Sequence, residues 1–373
     1  MARIIYALSG QGRGHTSRVI AISDELQRRG HEVLFCCGGT AQDILESQGE
    51  RVLHVPALRH AMQGNELRFW STLRKNWKNL RSLRRVVEQL AETFAARYPD
   101  LLITDFEFFS ARAARRMKLP ILSFNHQQIV TETRYRLPWR HRLDALLACS
   151  TIKTIAPKRP EHLLLSSFFF PPLKHPEQTT MVPPIIRPAV QVLQPRKENH
   201  VLVYYNETAG SNYVLDTLRQ VDASFIVYNF DLPEHPEAYP NLQFKKPSLD
   251  GFLDDLARSR AVLCTAGFTL ISEALYLGKP LLVVPNHGIF EQTLNALFLQ
   301  REHLGNAVID RPMSVDDVAS FLSQLDRYEK RLRNRPVCGN KKAVVCIEGV
   351  LSQITPSVHP RPHLPYPAIA TAS

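Results

Sequence analysis

Short apolar segments alternate with segments of helical periodicity in two successive stretches of the chain. The first stretch contains RIIYAL, HEVLFCC, RVLHVP, LLITDF and PILSFN, and the second contains HVLVYYN, SFIVYNF, NLQFKK, AVLCT, PLLVVPN and NAVID. Near-continuous apolar strands separated by helices indicate a parallel sheet that is covered on both faces. The pattern therefore predicts an α/β protein with two doubly wound parallel sheets.

The two series of strands predict two domains, and the length of 373 residues agrees, because a single core stops growing at about 250–300 residues. Seven prolines between residues 171 and 195 disfavour both helix and central strand. The predicted limits are 1–170 for the first domain, 171–197 for a proline-rich connection, 198–335 for the second domain, 336–353 for a helix that returns to the first domain and 354–373 for a disordered tail.

The net charge of +11 and the sequence pI of about 9.5 favour an anionic partner: nucleic acid, a phosphorylated small molecule or an acidic membrane surface. Charge alone does not choose among them. The six cysteines contain no C-x-x-C pair, which predicts a reduced, cytoplasmic protein. No signal peptide is expected, and no apolar stretch reaches the roughly 18 residues of a membrane span. Any membrane contact is therefore expected to be peripheral.

A basic amphipathic helix is predicted over residues 67–94. Its apolar residues recur at spacings of three and four, and no acid occurs between Leu67 and Val87. One interpretation is a core helix with a solvated basic face. The other is a surface that docks on anionic lipid, with Trp70 or Trp77 near its edge. The two interpretations are compatible.

A glycine-rich turn over residues 9–17 follows the first strand, a favoured place for ligand binding in a parallel α/β sheet. The spacing of Gly10, Gly12 and Gly14 departs from G-x-G-x-x-G, and the acidic ribose ligand expected at the end of the second strand is missing, since CCGGT follows Phe35. The turn also lacks the G-K-[ST] ending of a P-loop. A nicotinamide enzyme and a P-loop nucleotidase are therefore disfavoured.

His15 lies at the start of the helix that follows this turn. The positive end of a helix dipole favours the neutral imidazole, and a neutral imidazole at a cleft can accept a proton as a general base. The alternative is a histidine that only caps or packs the turn. The sequence leaves both interpretations open.

Residues 262–300 combine two strand-to-helix turns. The first strand ends in Thr265-Ala266-Gly267, a helix begins near Thr269, and Glu273 lies one turn further on; the second strand leads into Asn286-His287-Gly288 before another helix. Two helix N-termini therefore point at one edge of the sheet. Such an edge suits a diphosphate, with a carboxylate nearby to accept hydrogen bonds from ribose hydroxyls.

These residues resemble the GT-B glycosyltransferases, in particular the MurG-like (family 28 type) enzymes that add N-acetylglucosamine to a lipid-linked peptidoglycan precursor. The likeness rests on Gly267, Phe268, Thr269 and Glu273, on the strand GKPLLVVP, and on Glu291, Gln292 and Asn295. Glu291 stands where the family usually has glutamine, so the donor sugar is not identified. The segment 101–127 resembles a less characterised bacterial and archaeal branch of the same family.

The resemblance implies two Rossmann-like domains that face each other across a cleft, and a role for each matching residue. His15, in GRGH where the family usually has G-G-H, corresponds to the general base, and Asp105 is expected to orient it. The acceptor side is expected to include Gly12, Arg13, Gly14, Glu107 and His126. Donor binding is assigned to Asn206, Thr208, Gly210, Gly267, Phe268, Thr269, Glu273, Gly288, Glu291, Gln292 and Asn295.

Ordinary structural roles remain open for several of these side chains. Asp105 could cap the following turn, and His126 could be a packed core histidine. Glu273 could be a first-turn glutamate favoured by the helix dipole. Gln292 and Asn295 could form a polar helix face.

The activity that the resemblance implies is transfer of a sugar from a nucleotide diphosphate, expected to be UDP, to an acceptor hydroxyl with inversion, the acceptor belonging to a lipid-linked or cell-envelope glycan. No D-x-D motif follows a strand, so no metal and no other cofactor is expected. The alternatives are a nucleotide-sugar 2-epimerase and a non-catalytic nucleotide-sugar-binding protein. Nucleic acid is not an expected partner, because the sequence contains no recognised nucleic-acid-binding motif. The expected location is the cytoplasm, with peripheral attachment to the inner face of the cell membrane.

Overall fold

The computed structural model describes residues 1–10, 13–56, 62–63, 66–67, 82–158, 160–205, 212–246, 248–333 and 338–354. These residues form one parallel sheet of seven strands and another of six, together with a short antiparallel pair. Helices cover both parallel sheets, so the prediction of an α/β fold with two such sheets is confirmed. Among the residues described, no helix is both long and apolar enough to cross a membrane.

The first parallel sheet has the strand order β3-β2-β1-β6-β7-β8-β9, and the antiparallel pair is β4-β5. The strands are β1 (Arg3–Leu8), β2 (Glu32–Cys37), β3 (Val52–His54), β4 (Met62–Gln63), β5 (Glu66–Leu67), β6 (Leu101–Asp105), β7 (Ile121–Asn125), β8 (His162–Ser166) and β9 (Thr179–Val182). The order reverses between β1 and β6, whose C-terminal ends therefore border the crevice where ligands bind in this type of sheet.

The helices described in this half connect its strands. They are α1 (Arg13–Arg28), α2 (Thr40–Ser47), α3 (Leu83–Ala95), α4 (Phe108–Arg116), α5 (Ile129–Glu132) and α6 (Arg142–Ile155), with a 3₁₀ turn at Trp139–His141. A short helix, α7 (Pro188–Gln191), follows the last strand of the sheet.

The second parallel sheet repeats the arrangement with the order β12-β11-β10-β13-β14-β15. Its strands are β10 (His200–Tyr204), β11 (Ser224–Tyr228), β12 (Leu242–Lys245), β13 (Ala261–Cys264), β14 (Leu281–Val283) and β15 (Gly305–Ala307). The helices that follow are α8 (Asn212–Leu218), α9 (Leu249–Arg258), α10 (Phe268–Tyr276), α11 (Phe290–Arg301), α12 (Val315–Ser323), α13 (Leu325–Leu332) and α14 (Asn340–Gln353), with a 3₁₀ turn at Pro236–Ala238.

Helix α14 packs against the first sheet although it follows the second in sequence. Its buried face, which includes Ala343, Val344 and Ile347, belongs to the same apolar cluster as Ile4 and Tyr6 of β1. The backbone N–H of Gly339, just before the helix, donates to the carbonyl of Pro184. The end of the described chain therefore holds the two halves together.

The apolar core also crosses between the two halves. One cluster combines Val262 and Ile271 of the second sheet and its helix with Ile129, Phe168 and Phe169 of the first half. Phe169 stacks on Phe298 of α11 with ring centroids 4.0 Å apart. The two sheets are thus joined by packed aromatic rings behind the ends of the strands.

Two local predictions need correction. The proline-rich range 171–197 contains β9, a parallel edge strand of the first sheet, because its prolines flank residues 179–182 instead of interrupting them. The helix expected over 67–94 does not begin at Leu67, which lies in β5; its described part is α3, beginning at Leu83. Residues 68–81, with most of the basic stripe, and 355–373, within the expected disordered tail, lie outside the described residues.

Candidate active site

His15, Arg18 and Asp105 form a compact polar cluster at the crevice of the first sheet. Helix α1 begins at Arg13, so His15 lies in its first turn, and Asp105 is the last residue of β6, paired in register with Leu8 of β1. His15 Nδ1 lies 3.0 Å from Asp105 Oδ1. Arg18, one turn further along α1, donates to Asp105 Oδ2 at 3.0 Å. The carboxylate thus fixes both side chains.

The charges in this cluster keep Asp105 ionised. Asp105 is buried, which by itself raises the pKa of its carboxyl, but the neighbouring Arg18 and His15 outweigh burial and hold the pKa below its ordinary value. The remaining ring nitrogen of His15, Nε2, lies 3.4 Å from Gln127 Nε2. The imidazole therefore has Nδ1 directed at the Asp105 carboxylate and Nε2 directed at Gln127, on the side of the crevice.

The residues after β13 meet this cluster from the other half. A Cβ atom added to Gly14 would lie 2.5 Å from Thr269 Oγ1, so only glycine fits here without a shift of Thr269. Arg18 lies over the ring of Phe268, with its Cζ 5.5 Å from the ring centroid. We call this contact between α1 and the start of α10 the seam.

His126 extends the seam on the buried side. It is fully buried, its Nδ1 donates to the Ser166 carbonyl at 2.8 Å, and its Nε2 lies 2.8 Å from Asn295 Oδ1. Its ring also stacks on Phe268 with centroids 3.8 Å apart. Burial lowers the pKa of this imidazole. Because both nitrogens are engaged, His126 joins the two halves and is not an accessible base.

Gln292 and Asn295 shape the loops beside the seam. Asn295 Nδ2 donates to the carbonyl of Ala266, and Gln292 Oε1 accepts from the backbone N–H of Asn286. Gly288, in the same turn, has φ +77°, a conformation that favours glycine. Glu291 lies in the first turn of α11. Its negative charge opposes the effect of burial on the pKa of His126, which is lowered overall. These residues hold the two helix starts in place.

Glu273 is engaged by a residue that the sequence did not single out. It is 2% exposed; Arg187 Nη2 donates to its Oε2 at 2.7 Å, and Arg187 Nε lies 2.7 Å from Oε1. Burial raises the pKa of the Glu273 carboxyl, and Arg187 opposes this shift. Arg187 immediately precedes α7 and follows Ile186. The backbone N–H of Ile186 donates to Asn340 Oδ1, and its carbonyl accepts from Asn340 Nδ2. The connection between the halves thus reaches into the candidate donor site.

The remaining predicted residues lie apart from the cluster or outside the described residues. Glu107 is buried as the N-cap of α4, where it accepts from the backbone N–H groups of Phe109 and Ser110. Gly267 is the N-cap of α10. Gly12, Asn206, Thr208 and Gly210 lie outside the described residues, and of Arg13 only the backbone is described.

A model of the family described as glycosyl transferase family 1 matches residues 2–326. The chain belongs to this family. Its relatives include an uncharacterised glycosyltransferase of Methanosarcina acetivorans, 23% identical over 81% of this chain and 84% of that protein. A similar relative occurs in Methanosarcina mazei, again 23% identical over 81% of this chain and 84% of its own length. The protein is therefore a glycosyltransferase.

Solved glycosyltransferase structures share the fold. The glycotransferase of kitacinnamycin has a TM-score of 0.67 at 17% identity and covers 93% of this chain and 98% of its own. MurG of Acinetobacter baumannii has a TM-score of 0.63 at 13% identity, with 94% and 100% covered. UGT2 of Phytolacca americana, complexed with UDP-2-fluoroglucose and pterostilbene, has a TM-score of 0.67 at 15% identity, with 94% and 99% covered. The prediction of the GT-B fold is confirmed.

Within this glycosyltransferase, the seam combines two chemical capacities. The His15 imidazole, with Asp105 at Nδ1, has the arrangement of a base held by an orienting carboxylate. The first turn of an α-helix lacks partners within the helix for its backbone N–H groups and is the positive end of the helix dipole, so the starts of α10 and α11 suit an anion. Arg18 and Arg187 are additional charged residues of the site. A weak sequence signal exists for Arg18, which lies three residues after His15 on the same face of a helix.

Proposed function

We propose that this glycosyltransferase moves a sugar from a nucleotide diphosphate donor to an acceptor hydroxyl, with His15 as the general base. The observation that carries the proposal is the 3.0 Å contact of His15 Nδ1 with Asp105 Oδ1, directly across the seam from the start of α10. A base that is fixed by a carboxylate beside an anion-binding helix start fits a reaction that removes a proton on one side and releases a diphosphate on the other.

The donor is assigned to the second half. The diphosphate would lie against the N-terminal ends of α10 and α11, between Gly267 and Thr269 and beside Gly288, where backbone N–H groups offset the charge of the leaving group. UDP is the proposed carrier, an assignment motivated by the UDP sugar in the Phytolacca americana structure of the same fold. The loop with Asn206, Thr208 and Gly210 is proposed to face the same phosphates. Glu291, Gln292 and Asn295 are assigned to the sugar side.

Glu273 is proposed to accept hydrogen bonds from the ribose hydroxyls. A carboxylate has about four lone-pair sites, and the hydrogen bond from Arg187 Nη2 uses one of them, on Oε2. The remaining sites suit two hydroxyl donors. Because Glu273 is buried, we propose that the residues covering it move aside when the donor enters.

The chemical step is a direct displacement. Asp105 accepts a hydrogen bond from the Nδ1–H of His15 and remains a carboxylate, so that Nε2, on the side of Gln127, takes the proton of the acceptor hydroxyl. The acceptor oxygen then bonds to the anomeric carbon while the bond to the diphosphate breaks, and the configuration inverts. The acceptor is proposed to approach along Gly12, Arg13 and Gly14 and to belong to a lipid-linked or cell-envelope glycan. Glu107 and His126 support this side as a helix cap and an interdomain contact.

A two-stage experiment tests the proposal. Thermal shifts with UDP, GDP and dTDP identify the carrier, because a ligand that binds the native state stabilises it. The corresponding nucleotide sugars are then incubated with a panel of polyprenyl-linked and soluble glycan acceptors, and product is measured by mass spectrometry. We expect transfer by the wild type and a rate at least about a hundredfold lower for His15→Ala. Nucleotide binding without transfer, or epimerised donor formed without acceptor, would contradict the proposal.

A further inference from the structure

The outer face of α6 and of the 3₁₀ turn before it carries four large apolar side chains in the solvent. Trp139 is 82% exposed, Leu143 and Leu146 are each 66% exposed, and Leu147 is 59% exposed. Leu143 follows Trp139 by four residues, and Leu146 and Leu147 follow Leu143 by three and four, which places all of them on one side of the helix. We call these four residues the α6 face. Single exposed apolar residues are ordinary, but a contiguous group of this size marks an interaction surface.

The inner face of the same helix packs against the core without using these leucines. The side chains that α6 turns toward the protein are mainly small: Ala145, Ala148 and Cys149 pack against the core, and Ile152 is buried beside them. The larger apolar residues therefore point outward. This is the reverse of the usual amphipathic surface helix, in which the apolar stripe is buried. The core of the described residues therefore does not cover the α6 face.

The charges around the α6 face are almost all positive. Residues 134–158 contain six arginines and lysines and one acid, Asp144. Arg136 and Arg142 are exposed on either side of Trp139 in sequence, and the described residues provide no ion-pair partner for either. Arg140 differs, because it pairs with Asp310 of the second half at 3.0 Å. An apolar centre bordered by arginines is complementary to a surface with an apolar interior and an anionic rim.

The α6 face is firmly attached to both halves of the protein. The side chain of His141 is 3% exposed and its Nε2 lies 3.5 Å from Asp310 Oδ2. Tyr135, before the turn, packs edge-on against Phe298 of α11. A surface that docks through the α6 face would therefore fix the orientation of both sheets and of the seam between them.

We propose that the α6 face docks on an anionic lipid bilayer, with the leucines and Trp139 in the acyl boundary and the arginines among the headgroups. Leucine and tryptophan on one side with arginine beside them is the composition of helices that lie in a membrane interface. A second copy of the chain fits less well. A two-fold interface would bring Arg136 and Arg142 close to their own counterparts, and like charges repel. The residues of the α6 face are different from those of the range 67–94.

Vesicle flotation with the full chain tests the proposal. The wild type is floated with vesicles of phosphatidylcholine that contain phosphatidylglycerol, and with vesicles of phosphatidylcholine alone. We expect binding to the anionic vesicles and weakening by added salt. Leu143→Gln with Leu147→Gln should lower the partition coefficient by at least about tenfold. Each substitution removes the favourable free energy of moving a leucine side chain from water into the acyl region. Arg136→Gln with Arg142→Gln should lower it by roughly fivefold per charge.

The matched control is Val345→Gln on α14, where an apolar side chain is 59% exposed, the same fraction as Leu147. This variant should float as the wild type does. Circular dichroism checks that all variants are folded, and binding of the donor nucleotide should be unchanged in all of them. Three outcomes would overturn the proposal: no binding of the wild type to anionic vesicles, equal flotation of the double leucine variant, or a wild-type dimer that the leucine substitutions convert to a monomer.

Discussion

The two halves of the candidate site differ in what their polar side chains contact. In the first half, His15 is held at one nitrogen by Asp105, and its other nitrogen lies toward the crevice. In the second half, Glu273, Gln292 and Asn295 are all buried and hydrogen-bonded within the protein. The first half thus has the side chain that we propose for proton transfer. In the second, the side chains hold the helix starts to which we assign the donor.

This difference predicts separate consequences for substitutions in the two halves. The first half should control turnover, and the second should control donor affinity and the stability of the seam.

The largest effect is expected for His15→Ala. Removal of a general base lowers the rate of transfer by about 10²–10⁴-fold, while the free energy of unfolding should fall less than in Asp105→Asn, because Arg18 still pairs with the carboxylate. The measurement is kcat with an identified donor and acceptor. His54→Ala is the control, since His54 is exposed at the edge strand β3. A His15→Ala enzyme with full kcat would remove His15 from the mechanism.

Asp105→Asn should destabilise the first half as well as slow transfer. The substitution leaves the buried Arg18 without its carboxylate, and breaking a buried pair in this way costs about 3–5 kcal/mol. Urea denaturation measures the loss. Adding Arg18→Met should recover part of it, because no unpaired charge then remains buried. If the single variant is as stable as the wild type, Asp105 does not hold the cluster together.

The two buried carboxylates should respond oppositely to acid. The folded-state pKa of Asp105 is lowered, so its contribution to stability is present at neutral pH and is lost as pH falls through that pKa. The folded-state pKa of Glu273 is raised, so its contribution is largest below the unfolded-state pKa and is lost as pH rises through the folded-state value.

The test is the free energy of unfolding of the wild type minus that of each variant, measured from neutral to acidic pH. The difference from Asp105→Asn should shrink as pH falls. The difference from Glu273→Gln should shift in favour of the wild type over the same range. Parallel pH dependences would contradict the electrostatic contrast between the two halves.

The smallest effect is expected where the halves touch. Gly14→Ala places a methyl group against Thr269 Oγ1, and such overpacking costs about 1–3 kcal/mol. Thr269→Ala removes that oxygen and should recover the loss. The control is Gly349→Ala in α14, where a new Cβ meets no atom within 4 Å; there alanine should stabilise the helix slightly. Equal behaviour of the two glycine variants would argue against the seam contact.

Much of the fold is predictable from the sequence because strands of a parallel sheet are buried on both faces and appear as apolar runs. The strand β9 is not, since the prolines around Thr179–Val182 obscure it. The pairing of Arg18 with Asp105 depends on residues 87 positions apart, which no local pattern reports. The pairing of Arg187, in the connection between the halves, with Glu273 likewise joins residues that are distant in sequence, 86 positions apart. The cap at Glu107 is missed because glutamate is an uncommon N-cap.

The most direct test of the account is a calorimetric titration of UDP into the wild type, His15→Ala and Glu273→Gln, with Glu348→Gln as the control for loss of a carboxylate that pairs with an arginine elsewhere. The account predicts that Glu273→Gln weakens UDP binding by about tenfold or more, the loss expected for hydrogen bonds to a charged group. His15→Ala and Glu348→Gln should bind as the wild type does. Unchanged affinity in Glu273→Gln, or an equal loss in His15→Ala, would contradict the division of the site into a donor half and a proton-transfer half.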